Sequence, residues 1–407
     1  MDVVDLARAQ FAVTGALHFL FVVLTLGLAP LVAIMHTRYA IGGNPLYERM
    51  TRFWGQIYVI NYALGVVTGL VMEFQFGLSW SGLSHYAGDV FGAPLAMETL
   101  LAFFLESTFL GLWIFGWHRL PRGLHVACIW LVTLTAYASA LFIMVANSFL
   151  QNPAGSQEVG GRLVLRDFGA LFTNTALVFS LPHVLSAGLW AGGFVVMGAS
   201  AYHLFRRTPE REFFYRSLRI GVLTAFVGSL FTVGFGYAQF GPVGSLQPDK
   251  FHGAVPGVSL ELMIMIGQLG QFGVMFVLTP LLIRDVLARS RRLHPFLMLM
   301  TPLPFVAAIA GWLVREVGRQ PWLVYGKLSV ADALTPGLTR ADITASFAGF
   351  AGVLALLALV DYVLIARAVR RGPGRVMLGA ADAPVTAGSV PAPSLQRTRF
   401  PWTSSGS

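Results

Sequence analysis

Residues 11–35, FAVTGALHFLFVVLTLGLAPLVAIM, run for 25 positions without one charged side chain, and the strongest polar group among them is a histidine at position 18. A hydrocarbon core about 30 Å thick is crossed by about 20 helical residues, so this run is long enough to span. It is too long for the apolar core of a cleaved leader and has no basic segment before it, so it reads as a retained span. Eight more runs of this kind follow, near 53–75, 94–117, 124–147, 176–202, 218–240, 260–283, 296–315 and 342–366. A backbone in lipid must satisfy its own hydrogen bonds within the segment, and nothing alternates with the two-residue period of a barrel. The reading is an all-α integral membrane protein with nine transmembrane helices in bundles.

Composition agrees. Apolar residues make up 56% of the chain and charged residues 12%, about half the usual share for a soluble domain. The net charge of +9 would suggest nucleic acid in a soluble protein. Here it belongs to loops: eighteen Lys and Arg fall in one alternate set of loops, eight in the other, and Arg397 and Arg399 lie in the distal tail. Basic loops stay inside, which predicts an outside N-terminus, a cytoplasmic C-terminus and no nucleic-acid partner. Cys128 is the only cysteine, excluding an internal disulfide and a cysteine-ligated iron–sulfur cluster. Residues 1–371 form the predicted membrane domain, with a short external loop at 241–259. Residues 1–10 are expected to lie as an amphipathic helix along the outer interface, and the Gly-, Pro- and Ala-rich segment 372–407 as a disordered tail.

An ionisable group inside a span is costly and so a functional candidate. The candidates are His18, Glu73, Glu98, Glu106, His183, Glu261, Glu316 and Asp361. His36, His118, His203 and His294, at span ends, are expected to reach the interface. His18 and His183 lie well inside spans, where an imidazole serves either as a haem ligand or as a hydrogen-bonded packing residue. Met263 and Met265 are early in the seventh span, and a methionine with a histidine would make a six-coordinate haem. With this topology His18, His183, Met265 and Glu316 all fall in the outer half of the bilayer. On an ideal helix Glu98 and Glu106 lie about 12 Å apart along the axis and about 80° apart around it. They suit a proton relay, or pairing with polar groups such as Ser139 and Asn147. In Gly311–Trp322 (GWLVREVGRQPW), a Glu–Arg pair could hold an iron and a propionate, while Trp312 is an ordinary interfacial anchor.

Four stretches carry a family likeness: QFAVTGALHFLFV (10–22), MEFQFGLSWSGLSHYAGDVFGAPLAMETLLAFFLESTFLGLWIFGW (72–117), ASALFIMVANSFLQNP (138–153) and GWLVREVGRQPW (311–322). They resemble subunit I of the cytochrome bd quinol oxidases, in order, over most of residues 1–371. The resemblance implies a terminal oxidase of the bacterial cytoplasmic membrane that reduces O2 to water with electrons from membrane quinol. It implies a low-spin haem b on His183 and Met265, and a high-spin haem b and a haem d (or a third haem b) on His18 and Glu316. It further implies a cytoplasmic proton route through Glu98, Glu106, Ser139 and Asn147, with Trp312 and Arg319 packed around the haems. The implied partners are a subunit II, a small single-span subunit, and lipid. Two departures stand out. The loop 241–259 keeps Lys250, which matches a quinol-binding lysine, but lacks the glutamate that follows in the family. Met263 replaces the family arginine. A non-quinol donor, or a non-catalytic structural or haem-sensing paralogue, are the competing readings.

Overall fold

The computed structural model describes residues 2–379; the segment 380–407, most of the expected tail, lies outside the described residues. Among the described residues nine helices are long and apolar enough to cross a membrane. These are α1 (Val3–Gly42), α2 (Pro45–Ser79), α3 (Ser81–Phe115), α4 (Arg122–Gln151), α5 (Ser180–Arg206), α6 (Arg211–Leu246), α7 (Ala254–Leu278), α8 (His294–Val317) and α9 (Arg340–Arg371). Every expected span is present. The helices overrun the apolar windows because capping groups and turns, rather than the apolar edge, set their ends: Asp2 caps α1, Asn44 precedes Pro45 at the start of α2, and Thr339 forms a capping box with Asp342 on α9.

Among the described residues, 2–10 form no separate interfacial helix. From Val3 onward the chain is already α1, since no Gly or Pro separates residues 3–10 from the apolar run that begins at Phe11, and Gln10 is buried against Gln75 at 3.1 Å. The expected tail is also folded at its start: Pro373–Arg375 make a short turn, Leu378 packs on the bundle, and the Gly379 carbonyl accepts from Arg52 and His118. His36, His203 and His294 are buried rather than interfacial. Their ring nitrogens are taken by Trp113 Nε1, the Val369 carbonyl and the Leu287 carbonyl respectively.

Close helix contact rests on small residues, as it must where lipid gives no hydrophobic drive between helices. Gly27 of α1 lies directly on Gly188 and Gly192 of α5; a methyl at Gly27 would fall 2.1 Å from the Gly188 oxygen. Helices α5 and α6 run antiparallel, with Gly228 against Trp190 and Gly236 against His183. Two small hairpins, β1 (Ser156–Val159) with β2 (Arg162–Leu165) and β3 (Trp322–Val324) with β4 (Leu328–Ser329), cover the end of the bundle where α4 and α8 finish. One apolar core gathers around Trp54, Trp113, Phe213 and Phe214, and another around Trp80, Phe91, Phe149 and Leu323. A cavity of about 480 Å³ is walled by all of the first eight helices.

Candidate functional site

His18 and His183 both line that cavity, and each has one ring nitrogen fixed from behind. His18 Nδ1 is 2.8 Å from Thr68 Oγ1, whose own hydrogen goes to the Gly65 carbonyl at 2.6 Å. The hydroxyl therefore accepts, and His18 Nδ1 carries the hydrogen. His183 Nδ1 is 2.8 Å from the Thr232 carbonyl, which can only accept. Both imidazoles are thus set as Nδ1–H tautomers with the Nε2 lone pair left for the cavity, the arrangement that orients a metal-ligating histidine. Gly236 makes room for the second ring: a Cβ there would come within 3.2 Å of His183 Cε1. Trp312 lies flat over Gly15, one turn before His18, and donates to the Ala12 carbonyl at 3.0 Å.

The methionines divide differently from expectation. Met265 is 51% exposed and lies on one outward stripe of α7 with Val258, Leu269, Phe272 and Phe276. Met263 lines the cavity on the inward face with Leu260, Ile264 and Gly267. The phase follows from packing. Gly267 meets Val233, and Gly270 lies under the Trp190 indole, 2.4 Å from where its Cβ would be, so α7 runs parallel to α5. Seven residues outward from Trp190 and from Gly270 stand His183 and Met263. Seven residues are about 20° short of two full turns, so both keep the facing of the Trp190–Gly270 contact at about the same depth. Met265, five residues from Gly270, is turned away by about 140°. The structure does not bring Met265 to His183.

The acids form a ladder. Ser139 donates to Glu98 at 2.6 Å, Tyr58 to Glu106 at 3.2 Å, and Thr99 to Glu73 at 3.2 Å and to Glu98 at 3.4 Å. Tyr62 and Ser107 share a hydrogen bond of 3.0 Å beside Glu106. Glu73, Glu98 and Glu106 all line the cavity. The ideal-helix angle of about 80° fails here because Glu98–Phe103 is a π-helical turn. A π turn absorbs one extra residue, so eight residues count as seven and the two acids come within about 20° of one face.

Asn147 is not part of that ladder. It donates to Glu316 at 2.8 Å and accepts from Arg315. Glu316 is buried behind the cavity wall, which is made here by Trp312 and Arg315. Its other oxygen takes Arg319 Nη2 at 2.6 Å. Arg319 is 1% exposed, and its Nη1 has no partner among the described residues, a cation open to an anionic group such as a propionate. Lys250 is buried as well, and its Nζ lies 2.8 Å from Gln151 Oε1, 2.7 Å from Gln247 Oε1 and 3.1 Å from the Arg315 carbonyl. An ammonium has three N–H donors, and all three are used. Lys250 ties the loop between α6 and α7 to α4 and α8; no donor is left for a substrate. Burial, then Arg315 and Arg319, push its pKa well below that of a free lysine.

Two imidazoles of fixed tautomer and a methionine side chain lining one cavity, with a guanidinium nitrogen left without a partner behind its wall, fit haem, and a membrane bundle holding them beside a ladder of acids is a haem-binding oxidoreductase by class. The family follows from comparison. The family model described as cytochrome bd terminal oxidase subunit I matches residues 6–256 and 252–373, and the chain belongs to that family. It is 34% identical over 447 aligned positions to the cytochrome bd ubiquinol oxidase subunit 1 of Bacillus subtilis, covering 91% of this chain and 94% of that one. It is 46% identical over 251 positions to the cytochrome bd-II ubiquinol oxidase subunit 1 of Escherichia coli, covering 61% of this chain and 49% of that one. The bd oxidase structure from Geobacillus thermodenitrificans shares its fold, with a TM-score of 0.83 at 24% identity over 91% of this chain and 99% of that chain.

Proposed function

We propose that this chain is the oxygen-reducing subunit of a quinol:O2 oxidoreductase in the bacterial cytoplasmic membrane, with its N-terminus outside and its C-terminus in the cytoplasm. The observation that carries the reading is the pair of histidines whose Nδ1 atoms are pinned while Nε2 of each is left for one shared cavity. His183 and Met263 would hold the low-spin haem b, Met263 taking the place first expected of Met265. His18 and Glu316 would serve the high-spin haem b and the haem d (or third haem b), Glu316 by releasing Asn147 or Arg319. The haems, when bound, supply one-electron carriers and the place where O2 is reduced.

The chain's own side chains handle protons. Each O2 takes four protons and four electrons to give two waters. Tyr58 and Ser107 mark the inner end of the ladder, Glu106 and Glu98 share one face of α3, and Thr99 bridges Glu98 to Glu73. An acid in hydrocarbon keeps its charge only where such donors meet it, so each rung can hold a proton or a charge. Protons drawn from the cytoplasmic side build membrane potential without a pump. Arg319, Arg315 and Lys250 gather positive charge at the outer end, where propionates would sit. A subunit II is the partner that the subunit naming of the relatives supports, and a small single-span subunit is proposed beside it from the family likeness alone.

The test is a reduced-minus-oxidised visible spectrum of the purified complex with haem extraction. Three haems per chain, one of them low-spin, are expected. A preparation that is colourless after isolation intact from haem-replete cells ends the proposal.

A further inference from the structure

We propose that Trp113 is a redox-active residue, which supplies the cavity with one electron by way of Tyr58 and Tyr62 while His36 holds the indole proton. This goes beyond the function proposed above and rests on the three haems counted there. O2 takes four electrons, and three one-electron carriers hold three. A reduced complex that meets O2 with no quinol at hand therefore falls one electron short of two waters. An unfinished reduction leaves a strong oxidant in the cavity. Phenol and indole are the side chains that give up an electron most readily, and a run of them leads away from the cavity wall.

Tyr62 lines the cavity, and its ring centroid is 6.0 Å from that of Tyr58. Tyr58 is wholly buried and stands about one turn after Gly55 on α2. The Trp113 ring closes on that glycine, where a Cβ would collide with its edge. Tunnelling through protein falls off steeply with distance, and rings set this closely keep each step short. Each step also needs a place for a proton. The Tyr62 hydroxyl shares a hydrogen bond of 3.0 Å with Ser107, Tyr58 donates to Glu106 at 3.2 Å, and Trp113 Nε1 donates to His36 Nδ1 at 3.1 Å.

Packing alone would not choose that last partner. Of the buried tryptophans among the described residues, Trp54 donates to the Ser217 hydroxyl at 3.1 Å, and Trp80 and Trp190 have no partner for the indole nitrogen. Trp113 alone meets an imidazole lone pair, a base able to take its proton. The run also stops there. The next ring, Trp117, is 5.8 Å away but lies under Arg52, whose guanidinium carbon is 4.6 Å from the ring centroid. A fixed cation opposes positive charge on that indole.

The step balances. Trp113 adds the fourth electron to three already delivered, its Nε1–H bond breaks, and the proton goes to His36 Nδ1. Four electrons and four protons, the latter from the acid ladder, turn O2 into two waters. Tyr62 and Tyr58 each lose and regain one electron and one proton as the vacancy passes. The next electron from quinol returns by the same rings, His36 gives its proton back, and Trp113 is restored.

The experiment uses the whole purified complex, wild type and with Trp113→Phe, His36→Leu, Trp117→Phe or Trp54→Phe. Each is fully reduced, freed of reductant and quinol, mixed with O2 and freeze-quenched for electron paramagnetic resonance. The wild type should give a narrow organic radical signal whose splitting collapses when ring-deuterated tryptophan is supplied during growth. Trp113→Phe should lose the signal, and so should His36→Leu, in which the indole stays but its base is gone. Trp117→Phe and Trp54→Phe should keep it. The dithionite-reduced visible spectrum verifies folding and the haems in each protein. A silent wild type that carries three haems would overturn the proposal and leave the oxidase reading intact. So would a signal that survives Trp113→Phe or His36→Leu, one lost in Trp117→Phe, or one that only deuterated tyrosine collapses. A wild-type complex with fewer than three haems would overturn that reading and the relay with it.

Discussion

Leucine in place of methionine at 263 and, separately, at 265 makes a direct test of how α7 is turned. Met→Leu nearly conserves volume and costs under about 1.5 kcal/mol in a packed interior, so both proteins should fold. The geometry separates them. Met263 keeps the facing of Gly270 to within about 20°, while Met265 is rotated by about 140° and lies on the outward stripe. No side-chain rotation can carry a sulfur from the far side of a helix about 10 Å wide to its near side. Met263→Leu should therefore remove the low-spin signal of the haem on His183 in full and leave a five-coordinate spectrum there, whereas Met265→Leu should leave that signal at wild-type intensity. The assay is the low-temperature reduced-minus-oxidised spectrum, backed by electron paramagnetic resonance of the oxidised protein. If Met265→Leu abolishes the low-spin signal and Met263→Leu preserves it, the phase assigned to α7 is wrong.

Other expectations follow from single contacts. Thr68→Val removes the acceptor that sets the His18 tautomer, and retention of the haem on His18 during dialysis should fall by about 10- to 100-fold; extraction of haem against time reads this. Gly27→Val forces α1 away from Gly188 and Gly192, and should lower the thermal midpoint of the complex by the equivalent of about 1–3 kcal/mol. The folded state holds the Lys250 amine below its free value of 10.5. Between the lowered value and 10.5 the unfolded chain binds a proton that the folded chain releases, so stability rises with pH across that window. Lys250→Met should flatten that rise in thermal midpoint on the alkaline side as pH climbs toward 10.5, and an equally steep rise in the variant would count against it.

Hydropathy made the nine spans legible because a run such as 11–35 has no soluble alternative. The charged and imidazole candidates were legible for the same reason: His18, His183, Glu98 and Glu106 stand out against hydrocarbon. Rotation about a helix axis was not. Helix α7 is apolar on nearly every side, so its sequence carries no phase, and the choice between Met263 and Met265 waited on where Trp190 and Val233 touch it. The π turn at Glu98–Phe103 was not read from the sequence either, although Pro94 stands one turn before it. Thr68, Thr232, Tyr58 and Tyr62 escaped notice because neutral hydroxyls and carbonyls are common in spans, and only their partners reveal a role. Asn147 was grouped with the acids by its place on α4, but its own partners are Glu316 and Arg315 on α8.

The short stretch after α9 has a practical bearing on handling the protein. Leu378 fits against Gly55, and Gly379 lies on the Trp117 indole, 2.6 Å from where its Cβ would be. This clasp holds residues 378–379 against α2 and against Trp117 just after α3. Affinity tags or fluorescent fusions joined at residue 371, where hydropathy alone suggests the bundle stops, would strip away the clasp and bare Trp117. Junctions placed after Gly379 keep it whole.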